Sequence, residues 1–117
     1  MVEYTHKNDG TIDWLSLSGP FTDEDVGDLA KTISNLRQQG STRLVLLGEQ
    51  VTQISARKWQ TLAAAMRNYR KLGGIILLAE FQDSLVKIIQ GATWRKYVNI
   101  FKTREEASSF LDQEARH

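Results

Sequence analysis

Between Leu44 and Glu80 the chain reads LVLLGEQVTQISARKWQTLAAAMRNYRKLGGIILLAE, and few folds accommodate that order of residues. An apolar run, a polar segment, an amphipathic stretch, a Gly-Gly stop and a second apolar run make a βαβ unit. The runs Leu44 to Leu47 and Ile75 to Ala79 are continuous rather than alternating, as in strands buried on both faces in the parallel part of a sheet. A right-handed connection is expected. The turn between Gly48 and Lys58 then carries the chain from a strand's C-terminal edge to a helix N-terminus, where unpaired N–H groups point outward. That turn is the first place to look for function.

Around this unit the pattern continues in short elements. Val2 to Thr5 and Thr11 to Ser18 read as strands about Asn8-Asp9-Gly10, a hairpin sequence whose Asp-Gly pair suits positive φ angles. Gly19-Pro20 is expected to break the second strand. Thr22 can cap a helix through about Gln39, with Asp23, Glu24 and Asp25 favoured by the dipole in its first turn. Its apolar stripe is Val26, Leu29, Ile33 and Leu36, and the βαβ helix has one of Trp59, Leu62, Met66 and Tyr69. Gln82 to Gln90 reads as a short helix burying Leu85, Ile88 and Ile89, and Tyr97 to Phe101 as a last strand. Thr103 with Glu106 forms a capping box for a final helix that turns Ala107, Phe110 and Leu111 inward.

A length of 117 residues, 41% of them apolar, suits one domain. We place it at residues 1–113, with 114–117 as a fraying tail. There are no cysteines, which excludes disulfides and thiolate chemistry. No apolar run approaches the roughly 20 residues of a membrane-spanning helix, and MVEYTHKNDG has no signal-peptide character. A cytoplasmic protein without direct membrane insertion is expected.

The net charge of +1 argues against nucleic acid as a partner, although charge is unevenly spread. No acid occurs between Glu49 and Glu80, whereas Arg57, Lys58, Arg67, Arg70 and Lys71 do. A solvated basic helix face and a docking surface for an acidic partner both fit. Catalysis is not expected. His6 on the first strand and His117 at the end have no evident carboxylate or hydroxyl partner, and no phosphate loop, metal-ligand spacing or dinucleotide fingerprint is present. No cofactor is expected. Trp14, Trp59 and Trp94 are assigned to packing rather than to base stacking.

The hairpin ending in LSLSG, the run LVLLGEQVTQIS, the exit RKLGGIILLAE and the closing VNIFKTREEASSFL together resemble the STAS domain, the bacterial sulfate transporter and anti-sigma factor antagonist family. The resemblance covers nearly the whole chain and rests on order and spacing. It implies an α/β fold with a mixed sheet of four to five strands, an N-terminal hairpin and about four helices. It also implies signal transduction by partner switching, in which an antagonist binds an anti-sigma factor that is also a serine kinase. In that family the turn usually reads Asp-Ser-Ser-Gly, and its second serine accepts phosphate. Counting back from Gly73-Gly74, the four positions are Ser55, Ala56, Arg57 and Lys58, so Arg57 stands at the acceptor. A further family aspartate falls on Leu47. The resemblance thus implies a member without the usual phosphoacceptor.

By the same resemblance the partner surface comprises Phe21, Thr22 and Asp23 after the second strand, with Thr52, Gln53, Ser55, Ala56, Arg57 and Lys58 around the helix N-terminus. Arg57 and Lys58 there oppose the helix dipole at about 0.3–1 kcal/mol each when exposed. They could join the free N–H groups in holding an anion, either a partner's carboxylate or a phosphate. Ser55 suits an N-cap, and Ser55 or Thr52 is the remaining candidate for phosphorylation. Two other readings stay open: an accessory subunit of a membrane transporter or signalling scaffold, and a nucleotide- or lipid-binding sensor.

Overall fold

A computed structural model of the chain describes residues 3–20, 23–53, 56–90 and 99–115. The elements run β1 (Glu3–Asn8), β2 (Asp13–Pro20), α1 (Asp23–Gln38), β3 (Arg43–Gln53), α2 (Ala56–Lys71), β4 (Ile75–Ala79), α3 (Asp83–Gln90), β5 (Asn99–Phe101) and α4 (Arg104–Ala115). They form one mixed sheet in the order β1-β2-β3-β4-β5. Only β1 is antiparallel to its neighbour; β2, β3, β4 and β5 are parallel.

Alternation along the two central strands divides the core. Leu44 and Leu46 of β3 and Ile76 and Leu78 of β4 face one layer with Leu15, Leu17, the α1 stripe Val26, Leu29, Ile33 and Leu36, and Leu62, Met66 and Tyr69 of α2. Val45, Leu47, Leu77 and Ala79 face the other, where α4 supplies Ala107 and Leu111. Both helix stripes expected from the sequence are buried where described; the side chains of Trp59, Ile88 and Ile89 lie outside the described residues. Half-buried Trp14 packs on the α4 side. Its indole N–H donates to Asp9 Oδ2 at 3.1 Å.

The helices end by the same device. Gly40 (φ 104°) closes α1 with Gly40 N–H to Arg37 C=O at 3.1 Å and Ser41 N–H to Leu36 C=O at 2.9 Å. Gly73 (φ 95°) closes α2 with Gly73 N–H to Arg70 C=O and Gly74 N–H to Tyr69 C=O, both 3.1 Å. These are paired Schellman caps. Arg37 joins the two ends, its guanidinium donating to Leu72 C=O and to Ser41 C=O. At α4 the Glu106 N–H donates to Thr103 Oγ1 at 3.1 Å, one half of the anticipated capping box.

Three boundaries differ from the sequence reading. Strand β1 reaches Asn8, and the hairpin loop is moved to residues 9–12, where Asp9 Oδ1 accepts the N–H groups of Thr11 (3.1 Å) and Ile12 (2.8 Å). Gly19-Pro20 does not stop β2 short: both residues pair with β3, opposite Val51 and Gln53, across register shifts that absorb the proline, and Pro20 is the strand's last residue. The largest difference is β3, which runs to Gln53, so the expected turn from Gly48 is mostly strand. Gly48 instead allows a close approach, since a Cβ there would collide with the Phe81 ring. Tyr97 and Val98, expected in the last strand, lie outside the described residues.

Because that ring is buried and in contact from its root outward, substitution G48A forces Phe81 off its seat. We expect a loss of about 1–3 kcal/mol in denaturant unfolding; an unchanged midpoint would show that the ring relocates freely.

Candidate interaction surface

Parallel strands deliver their C-terminal ends to one edge of the sheet, and Thr52 and Gln53 at the end of β3 and Arg57 in the first turn of α2 are the fully described members of the anticipated surface. Gly19 pairs with Val51 and Pro20 with Gln53, so the end of β2 lies directly beside the end of β3. Thr52 and Gln53 are exposed, whereas Val51 between them and the sheet is fully buried. Helix α2 begins at Ala56, and no acid occupies its first turn. Arg57 is exposed in that turn, and its C=O accepts from Thr61 Oγ1 at 3.5 Å. Phe21, Thr22 and Ser55 lie outside the described residues, as do the side chains of Asp23, Ala56 and Lys58.

The same edge contains residues the sequence reading did not single out. Glu80, at the end of β4, adopts φ 65°, a left-handed conformation among the described residues otherwise taken only by glycine. Arg104 holds it with two hydrogen bonds of 2.9 Å, Nε to Oε2 and an Nη to Oε1. That contact, offset in part by burial, keeps the Glu80 carboxyl below the usual carboxylate range. A cleft of about 500 Å³ opens here, lined by Glu49, Glu80, Phe81, Asp83 and Lys102. Only the helix N-terminus had a sequence signal; pairing Glu80 with Arg104 needs the register of β4 against the start of α4.

At the opposite edge the structure corrects the reading of His6. Its Nε2 lies 2.7 Å from Asp13 Oδ1, so the histidine has a carboxylate partner. Asn8 Nδ2 donates to the same oxygen at 2.8 Å, and Ser41, itself 2.7 Å from the Tyr69 hydroxyl, also bonds to Asp13. The carboxylate stands in the middle of this network, with His6 on one side and the hydroxyls on the other. A base that activates a nucleophile needs the histidine in the middle, so the arrangement is a structural tie between hairpin and helix layer. It lines a cleft of about 510 Å³ with Leu36, Gln39, Gly40, Thr42 and Arg43. Among the described residues no group of three or more acidic or histidine side chains could hold a metal, and no helix is long and apolar enough to cross a membrane.

Sequence comparison matches the family model of the STAS domain over residues 5–107. The chain belongs to the STAS family. Solved structures agree at the level of fold. The unphosphorylated anti-sigma factor antagonist SpoIIAA is similar with a TM-score of 0.70, 18% identity, and coverage of 94% of this chain and 98% of that one. Phosphorylated SpoIIAA of Bacillus gives 0.71, at 16% identity over 93% and 99%. A putative anti-sigma factor antagonist from Thermotoga maritima gives 0.82, at 14% identity over 93% and 94%. Comparison with curated proteins gave no match. The described residues of this STAS domain form a five-stranded mixed sheet and four helices, in keeping with the four to five strands and about four helices that the resemblance implied.

Its polar tie makes stability depend on acid. Burial works to raise the Asp13 pKa, but hydrogen bonds from Asn8, His6 and Ser41 outweigh it and hold the carboxyl below its ordinary value of 3.8. A folded-state pKa below the unfolded one contributes stability that is complete above the unfolded value and is lost as pH falls through the folded value. Substitution D13N should therefore reduce the acid dependence of unfolding below about pH 4, while costing about 1–3 kcal/mol near neutrality by removing a buried charged acceptor. Denaturant titrations at pH 3 to 7 read both; parallel curves for the two proteins would exclude the effect.

Proposed function

We propose that this STAS domain is a non-catalytic regulatory module that acts by partner switching, in the manner of an anti-sigma factor antagonist. What supports the reading is an exposed Arg57 in the acid-free first turn of α2, with Thr52 and Gln53 exposed at the end of β3; counted back from Gly73-Gly74, Arg57 falls where the resemblance puts the phosphoacceptor. The contact surface is Phe21, Thr22 and Asp23 with Thr52, Gln53, Ser55, Ala56, Arg57 and Lys58. Its partner is a protein, an anti-sigma factor with serine kinase activity.

Arginine offers no hydroxyl to a serine kinase, so such a partner would bind this surface without switching it off at position 57. Ser55 and Thr52 are the hydroxyls through which control could return. A phosphate on Ser55 beside the Arg57 and Lys58 cations would gain charge-assisted hydrogen bonds and order the turn. In a typical acceptor turn lacking such cations, phosphate adds charge without that compensation.

The test is calorimetric titration of anti-sigma kinases from the same organism against the wild type and R57E. Wild type should bind, and R57E should abolish binding, because it reverses a charge at the centre of the contact. Unchanged affinity would remove this turn from the interface. Intact mass after incubation with kinase and ATP reads the second point: the gain of one phosphate, lost in S55A or in T52V, identifies the acceptor, and no gain excludes both.

A further inference from the structure

Strand β1 forms one lateral edge of the sheet, and the strand at the other edge, β5, has only three residues. Over Glu3–Asn8 it pairs with β2 in one unbroken register, from Glu3 opposite Ser18 to Asn8 opposite Asp13. Among the described residues no strand pairs with its outer side. Alternate residues of an antiparallel strand point their N–H and C=O groups away from the partner, so a regular edge of this length carries a row of unpaired groups. Thr5, His6, Lys7 and Asn8 are exposed along it.

The edge is held in shape from within. His6 and Asn8 both reach Asp13 Oδ1, at 2.7 and 2.8 Å, which fixes their side chains on the sheet face that Leu15 and Leu17 turn to the α1–α2 layer. Alternation then puts Thr5 and Lys7 on the opposite face, with Lys7 opposite Trp14. On that face α4 packs over β3, β4 and β5, and Lys7 has no ion pair among the described residues. A charge on an edge strand ordinarily opposes the addition of another strand. In EYTHK, however, an acid and a base stand four residues apart, and that pattern matches its own reverse.

Symmetry limits how two such edges can meet. A two-fold axis perpendicular to the sheet keeps like layers on like faces, and it requires one residue to stand opposite its own copy. With the axis at Thr5, Glu3 of each copy stands opposite Lys7 of the other, and Tyr4 opposite His6. Opposite charges then face each other twice. With the axis at Lys7 two ammonium groups meet directly, at His6 the Glu3 position falls opposite Asp9, and at Tyr4 it falls opposite Thr5. Only the axis at Thr5 satisfies both charges.

We propose that the outer edge of β1 joins two copies of this chain, paired antiparallel about a two-fold axis at Thr5, so that their sheets continue into one and Glu3 of each faces Lys7 of the other. Backbone hydrogen bonds supply the association, and the charges set its register. Few residues take part on each side, so the dimer is weak and reversible, forming at about 10 µM to 1 mM. This contact is independent of the regulatory reading above, because β2 separates β1 from β3 and the helix that follows it.

Sedimentation equilibrium of the full chain over about that concentration range should show a monomer–dimer equilibrium, weakened as salt rises from about 0.05 to 0.5 M. Substitution K7E or E3K sets like charges opposite each other twice and should weaken association about tenfold, whereas E3K/K7E swaps the charges and should restore it to within about threefold. R57E should leave the dimer unchanged, so loss of the contact at α2 and loss of this one are separately visible. The chain has no cysteine, which makes T5C a clean probe of the axis. Directly opposed residues lie about 4.5–5.5 Å apart between Cα atoms, within disulfide reach, so with oxidised glutathione T5C should cross-link about tenfold faster than K7C. Mixed E3C and K7C chains should likewise cross-link faster than either alone. A monomer throughout the range, a dimer indifferent to the single reversals, a swap that restores nothing, or T5C no faster than K7C would overturn the proposal. Should a charge reversal unfold the chain, the cysteine rates decide.

Discussion

The structure depends on the demand that β3 be apolar on both faces from Leu44 to Leu47 and polar beyond Gly48 except at Val51. From Leu44 to Leu47 every side chain is buried, even residues under the α1–α2 layer and odd ones under α4. Fully burying one aliphatic side chain stabilises by about 1.5–3 kcal/mol, so this run commits the strand to the centre of the sheet. Past Gly48 the constraint relaxes, and Glu49, Gln50, Thr52 and Gln53 are exposed with only Val51 turned inward. One strand thus anchors both layers and then extends as a half-supported arm. The arm positions the surface at α2; the anchored half holds the arm still.

That division explains what could be read from residues alone. Both buried runs, the helix stripes and the Gly-Gly stop were legible because each is a local pattern whose period or conformation admits one element. The far half of β3 was not, because EQVTQ carries the polarity of a turn, and its strand character comes from pairing with β2 rather than from burial. Gly19-Pro20 misled for a related reason. Proline lacks one backbone donor, but at the end of a strand beside a register shift that donor is not required.

At the candidate surface, legibility followed the chain. The N-terminus of α2 has sequence-local signals, a cation pair and no acid in the first turn, so the place of Arg57 at the start of a helix was legible from the residues alone. His6 with Asp13 and Glu80 with Arg104 have none, since each pair is made by strand register. His6 lies opposite Leu15 in the hairpin, and it meets Asp13 only as a diagonal neighbour on the same face. Residue types alone supplied no reason to join them, so the histidine appeared solitary when it is the outer member of a tie that runs through Asp13 and Ser41 to Tyr69.

The two edges of the sheet consequently differ in what they leave unsatisfied. At the N-terminal edge, Asp13 gathers His6 and Asn8 of β1 and Ser41, while Arg37 crosses between the carbonyl ends of both helices. Little polar capacity is left over, and burial raises the Tyr69 phenol's pKa so that it stays a neutral hydrogen-bonding partner. At the C-terminal edge, the ion pair between Glu80 and Arg104 constrains the turn out of β4, while Glu49 and Asp83 stay exposed beside it. Rigid closure at one end allows open groups at the other without loss of register, because a strand pinned over Leu44 to Leu47 cannot slip by one residue without turning its apolar side chains to the wrong layer. Exposed polar residues past the anchored half of β3, and Arg57 in the first turn of α2, can therefore vary while the fold beneath them is kept.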